Sequence, residues 1–260
     1  GTAAGLAWAG KIPYACSFSQ FVTGKALEQL RLAVCYQQLN VKIVGSHGGL
    51  SVGADGATAE ALEELAHMRA LPGMTVIVPC DALEAKRATI ASADHPGAVF
   101  LRLGRSPVPR ITHPADPFEI GRATVMRQGR EVTLIACGVM VAHALQAAEQ
   151  LHREGIEARV LNLHTIKPLD REALIAAARE TGAIVTAEEH TVLGGLGGAV
   201  AEVVVQEHPV PMRFIGVRDR FGTSGDPTEL LRAFHLMPDD IADAAKDVLR
   251  LKQHAAGSRL

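Results

Sequence analysis

Two short runs near residue 50 carry the side chains best suited to chemistry. Gly45-Ser46-His47-Gly48-Gly49 directly follows a β-rich run, and Gly53-Ala54-Asp55-Gly56 leads into a helical pattern. Histidine can give or take a proton near neutral pH, and aspartate offers a carboxylate to hydroxyl groups. The flanking glycines let backbone come close to a ligand. In open α/β sheets ligands bind beyond the carboxyl ends of strands, where both runs would fall. Taken alone, the pattern suits a pair of plain turns equally well, because Gly, His and Asp are common loop residues. A third feature is aromatic. The chain has one Trp, two Tyr and seven Phe, yet Tyr14, Phe18 and Phe21 cluster after Pro13. Phe18 and Phe21 are three apart and could share one helical face, although core packing is the commoner use of such a pair.

The elements that would position these residues alternate in type. Strand-like runs at 41–44, 75–78 and 99–103 are interleaved with helical patterns at 25–38, 58–70 and 82–92. Such alternation predicts a parallel sheet covered on both faces. Residues 1–9 read as the middle of a packed helix, so residues upstream of Gly1 are expected. The stretch 105–117, with Pro107, Pro109, Pro114 and Pro117, disfavours helix and ladder alike. It is placed as a linker over 107–119, between a domain at 1–106 and a second at 120–260. In the second, strands are predicted at 132–136, 158–163, 183–187 and 213–217. Helices are predicted at 141–154, 170–181, 197–207, 227–234 and 239–251. Asp226 before Pro227 is a cap followed by an N1 proline. The predicted fold class is α/β, two domains, each a largely parallel sheet flanked by helices.

Composition excludes several classes. The formal net charge of -2 makes no electrostatic case for nucleic acid. The longest apolar region, 132–145, is broken by Gly138 and His143 and is too short to span a bilayer. Cys16, Cys35, Cys80 and Cys137 form no CxxC pair, so zinc has no support, and buried reduced thiols in a cytoplasmic protein are expected.

Taken in order, the stretches AAGLA, SFSQF, VKIVGSHGGLSVGADGAT, MRALPGMTVIVPCDALEA and FLRLGR resemble the pyrimidine-binding domain of transketolases. The stretches VLNLHTIKPLD, IVTAEEHTVLGGLGGAVAEV and IGVRDRFGTSGDPTELL resemble the transketolase C-terminal domain. The resemblance covers nearly the whole chain and is nearest to the separate C-terminal subunit of split, two-chain transketolases. It implies transfer of a two-carbon ketol unit from a ketose or ketose phosphate to an aldose, with thiamine diphosphate and Mg²⁺ as cofactors. It assigns Phe18 and Phe21 to the aminopyrimidine ring, His47 and Asp55 to catalysis beside the sugar, and Arg105 with His47 to the substrate phosphate. A third ring found in some relatives is replaced by Gly24. The histidine that many relatives carry four residues after the aspartate is Ala59 here, which loosens the identity of the sugar.

The family anchors the diphosphate through Mg²⁺ with a GDG motif and a later asparagine, hard oxygen ligands for a hard cation. This chain reads GADG, and its asparagines are Asn40 and Asn162. No metal ligand is therefore assigned to it. Mg²⁺ is expected on a partner N-terminal subunit, in an α2β2 heterotetramer. The activating glutamate of the family is expected just upstream of Gly1. Neither a membrane nor nucleic acid is expected as a partner. Two other readings stand: the β subunit of another thiamine enzyme, of 2-oxoacid dehydrogenase or deoxyxylulose-phosphate synthase type, or a non-catalytic assembly subunit. Gly194-Gly195-Leu196-Gly197-Gly198 is expected to serve helix–strand packing rather than phosphate. Glu188-Glu189-His190 is expected to serve packing rather than metal.

Overall fold

The computed structural model describes residues 1–257. Two five-stranded sheets divide the chain. The first has the order β1-β2-β4-β3-β8, from β1 (Tyr14–Phe18), β2 (Lys42–Ser46), β4 (Val99–Arg102), β3 (Thr75–Ile77) and β8 (Thr165–Lys167). The second has the order β10-β9-β6-β7-β5, from β10 (Met212–Val217), β9 (Ile184–Thr191), β6 (Val132–Ala136), β7 (Ala158–Asn162) and β5 (Thr124–Arg127). Within each sheet four strands run parallel and one edge strand runs antiparallel. The inner parallel strands β3, β4 and β6 are covered on both faces: every one of their residues is buried, as helices on both sides require.

Three strands carry little sequence signal. β1 mixes exposed and half-buried positions, and β5 and β8 are short edges. β8 lies far along the chain yet pairs with β3, Ile77 opposite Thr165, which stitches the two halves together.

The helices depart from expectation at two places. The expected helix over 25–38 is a π-helical turn (Phe21–Lys25), a short α2 (Leu27–Gln29) and a second π-helical turn (Leu30–Cys35). The expected helix over 58–70 begins only at α3 (Glu64–Ala70). Residues 58–63 instead wrap Gly49, whose N–H donates to the Ala61 carbonyl at 2.9 Å. That tertiary pairing overrides local helical propensity. The first helix, α1 (Thr2–Trp8), falls where the small residues predict it.

α4 (Ala82–Asp94) starts on Asp81, whose carboxylate accepts from Glu84 N at 2.9 Å. In the second half, α5 (Met140–Arg153), α6 (Arg171–Thr181) and α7 (Leu196–Glu207) cover the sheet. α6 is capped by Asp170 and stopped by Gly182 at φ 65°. α8 (Pro227–Ala233) starts on Asp226, which accepts from the N–H groups of Thr228 and Glu229, and α9 (Pro238–Gly257) follows.

The chain order of the second sheet reverses between β6 and β9, where a doubly wound sheet opens a crevice for a ligand. Here the first half fills it. Gly138, just after β6, donates to the Val78 carbonyl at 3.2 Å. Arg102, the last residue of β4, donates to the Glu189 carbonyl at 2.8 Å. The crevice of the second sheet is thus occupied by protein.

Candidate active site

The aromatic wall forms at the carboxyl ends of β1 and β2. Parallel pairing sets Phe18 opposite Ser46. A Cβ on Gly45 would meet the Phe100 ring at 2.8 Å, so only glycine lets that ring close beneath β2. Phe18 ends β1 and Phe21 opens the next turn, so the two rings meet across a strand–helix corner and do not share one helical face. Their centroids lie 5.8 Å apart with planes 10° from parallel. His47 takes a left-handed φ of 58°, and its ring stacks on Phe18 at 3.7 Å and 13°. The His47 Nδ1 meets Ser46 Oγ at 3.0 Å, which fixes the ring and leaves Nε2 as the atom for a ligand. Ser46 is a residue that sequence reasoning did not single out.

A flat heterocycle fits this wall from one side only. Stacked rings need about 3.5–4 Å per interface, so the 5.8 Å between Phe18 and Phe21 admits no third ring between them. Phe21 is 39% exposed and offers a free surface. Lys25 Nζ stands 5.4 Å from its centroid. These residues fit an aminopyrimidine held by stacking.

The polar side of the site comes from β4 and the loop after β2. Leu103 N donates to the Gly45 carbonyl at 2.7 Å, and Gly48 N to the Leu103 carbonyl at 3.0 Å. This pairing carries Arg105 to the same sheet edge. Arg105 Nη1 donates to the Val52 carbonyl at 2.6 Å, and its Nη2 lies 3.8 Å from Asp55 Oδ1. Ser106 Oγ donates to the Ser51 carbonyl at 2.8 Å. Asp55 ends a 3₁₀ turn, Leu50–Asp55, between Gly53 (φ 77°) and Gly56 (φ 72°). All five expected site residues therefore lie at the carboxyl ends of β1, β2 and β4 or in the loops that follow them. Ala59 is buried behind the turn, with its N–H on the Gly56 carbonyl.

Behind the site lies a buried ionic knot that sequence reasoning missed, although Arg102 stood in plain view as a charge inside an apolar strand. Arg102 Nε donates to Glu64 Oε1 at 2.6 Å. Glu189 accepts from Ser51 N, the first turn of the segment that bears Asp55. Burial pushes the carboxyls of Glu64 and Glu189 up, while Arg102 pulls both down. Burial raises Glu60 to about 7, and the Glu189 carboxylate adds to the rise.

Strand alternation sends Glu188 and His190 to one face of β9 and Glu189 to the other. Glu188 accepts from Leu196 N at 2.6 Å and Gly197 N at 2.8 Å, so it sits where a helix N-terminus would receive an anion. Burial still raises it to about 7, against these two hydrogen bonds. His190 donates from Nδ1 to the Thr191 carbonyl and accepts at Nε2 from Leu65 N. Burial holds it neutral, lowering its pKa to about 3. The three side chains do not converge, and among the described residues no His/Cys/Asp/Glu group is arranged to hold a metal. Gly197 packs against Thr186 and Phe214, as expected for helix–strand contact. Asn162 donates to Glu84 Oε1 at 2.9 Å, away from the site.

Fold and site define a class: an α/β protein bearing a wall of stacked aromatic rings beside an arginine–aspartate pair. Known proteins agree with that class. The profile of the transketolase pyrimidine binding domain matches residues 1–110, and that of the transketolase C-terminal domain matches residues 121–241. The 6-deoxy-6-sulfo-D-fructose transketolase subunit of Clostridium sp. (strain MSTE9) is 45% identical, covering 97% of this chain and 78% of the relative. One of the subunits of the apulose-4-phosphate transketolase of Phocaeicola vulgatus is 40% identical, covering 96% and 80%. A solved split gene transketolase, an inactive β4 tetramer, superposes with a TM-score of 0.92 at 47% identity, covering 96% of this chain and 80% of that one. A Pichia stipitis transketolase shares the fold at a TM-score of 0.75 and 21% identity. This chain belongs to the transketolase family.

Proposed function

We infer that this chain is the pyrimidine-binding subunit of a two-chain transketolase and transfers a two-carbon ketol unit from a ketose to an aldose. The observation that carries this reading is the stacked wall of Phe18, Phe21 and His47 at the same sheet edge as Asp55 and Arg105. Thiamine diphosphate, when bound, supplies the nucleophilic carbon and electron sink that let a ketose C–C bond break and re-form. Phe21 stacks its free face on the pyrimidine ring, and Phe18, held between His47 and Phe21, backs it. His47 Nε2 and Asp55 hydrogen-bond the sugar hydroxyls and orient the reacting carbons.

Arg105 receives an anionic group at the far end of the sugar. Its planar fork matches tetrahedral oxyanions, and relatives named for a 6-sulfo and a 4-phosphate sugar support such a substrate. A partner N-terminal subunit holds the diphosphate and Mg²⁺, and two copies of each chain form an α2β2 assembly. The cytoplasm suits four free cysteines. Among the described residues no helix is long and apolar enough to cross a membrane.

The test is reconstitution. Two-carbon transfer should require this chain, its partner, thiamine diphosphate and Mg²⁺ together. Transfer by this chain alone would overturn the shared site, and release of CO₂ from a 2-oxoacid would favour the dehydrogenase-type reading.

A further inference from the structure

The turn that carries Asp55 is gripped by the other half of the chain. At its start, Glu189 accepts from Ser51 N and lies against Gly49, which has φ 90° and no room for a Cβ. In its middle, a Cβ on Gly53 would meet the Pro227 ring at 2.9 Å and the Gly225 carbonyl at 3.1 Å. At its end, Gly56 faces Ser224, whose backbone N stands 3.3 Å from where a Cβ would be. Just beyond, Gly222 lies against Glu60: a Cβ there would fall inside the Glu60 carboxylate and 3.0 Å from Leu50 Cδ2.

Glu60 is 3% exposed, and neither carboxylate oxygen has a hydrogen-bond partner among the described residues. A buried, unpartnered carboxyl is costly, and here its place is set by shape, against a glycine that leaves it room. Asp55 sits between the Gly53 and Gly56 contacts. Arg105 is tied to the same turn through the Val52 carbonyl.

We propose that the loop 218–226, with Pro227 at the start of α8, is a positioning element of the substrate site, seating Asp55 and Arg105 through the contacts of Gly222 with Glu60 and of Ser224, Gly225 and Pro227 with the turn. The second half then serves the chemistry without contributing a group that touches substrate. Phe21 lies on a different corner, after β1, so this grip acts on the sugar and not on the cofactor.

The proposal rests on the ketol-transfer reading for its kinetic test, and a second measurement is independent of it. In the assembled enzyme, Gly222→Ala should raise the ketose KM about tenfold or more, since small misplacements at a site cost that much. Its kcat should fall as well, because Asp55 also orients the reacting carbons, while its thiamine diphosphate affinity should stay within about twofold. Replacing Glu60 with Ser in that background removes the colliding carboxyl, so the double variant should return to the KM of Glu60→Ser alone. An unchanged KM, or a cofactor affinity falling in step with KM, overturns the proposal.

If the wild-type assembly transfers no two-carbon unit, the functional reading fails and hydrogen exchange decides the inference. Amides of residues 51–55 should exchange faster in Gly222→Ala while those of α5 keep their protection. Equal exchange in both segments refutes the grip.

Discussion

Arg105→Ala is the most informative single substitution. The guanidinium has one nitrogen on the Val52 carbonyl at 2.6 Å and another 3.8 Å from Asp55, too far for a hydrogen bond. Its remaining N–H groups are free to take an oxyanion. A hydrogen bond to a charged group contributes about 1.5–3 kcal/mol. The Arg105 side chain is 41% exposed, so solvent screening places a two-bond contact at about 1.5–3 kcal/mol in total rather than double that. At 1.4 kcal/mol per decade this is about ten- to hundredfold in KM. The assay is steady-state transfer from a phosphorylated ketose and from its unphosphorylated counterpart, with the assembled enzyme. KM should rise in that range for the first and by less than about threefold for the second, because the second never made the charged contact. An equal rise for both would refute the reasoning. It would mean that Arg105 serves the fold through Val52 and Asp55.

Phe21→Ala should weaken thiamine diphosphate binding by about three- to tenfold, the worth of one stacking contact. Because Phe21 is 39% exposed, melting should fall only slightly; cofactor titration and thermal unfolding of the complex check the two. Glu64→Ala strands the buried Arg102 guanidinium and should cost about 3–5 kcal/mol in denaturant unfolding. Pairing Glu64→Leu with Arg102→Met should be less harmful than Glu64→Ala alone. Glu60 sets a pH dependence with a definite sign. Its folded pKa of about 7 lies above the ordinary 4.5, so its contribution to stability is full below 4.5 and lost as pH rises through 7. His190 acts oppositely: its pKa falls from 6.5 to about 3, so its contribution is present above 6.5 and lost as pH falls through 3. The stability of wild type relative to Glu60→Gln isolates the first. That difference should shrink from pH 4.5 to 7, and a flat difference contradicts it.

Much of the fold was legible because its signals are local. The buried strands β3, β4 and β6 are short runs rich in Val, Ile and Leu, and Asp170, Asp226 and Gly182 mark helix ends by hydrogen bonding and backbone conformation alone. Edge strands β1, β5 and β8 carry no such run, and β8 exists only because β3 offers it an open edge. The helical pattern over 58–63 was overruled by a long-range pairing to Gly49.

For the site, residue types and order in the sequence determined what was present: two phenylalanines, a histidine in a glycine-rich run, an aspartate and an arginine. Tertiary structure decided how they are used. It placed His47 on Phe18, a contact that needs both the β1–β2 register and a left-handed backbone at His47. It put Phe18 and Phe21 on a corner and not on one helix. It also seated Asp55 between glycines pressed against a loop more than 160 residues away in the chain. Those contacts rest on shape and burial between segments distant in sequence, and no local spacing encodes them.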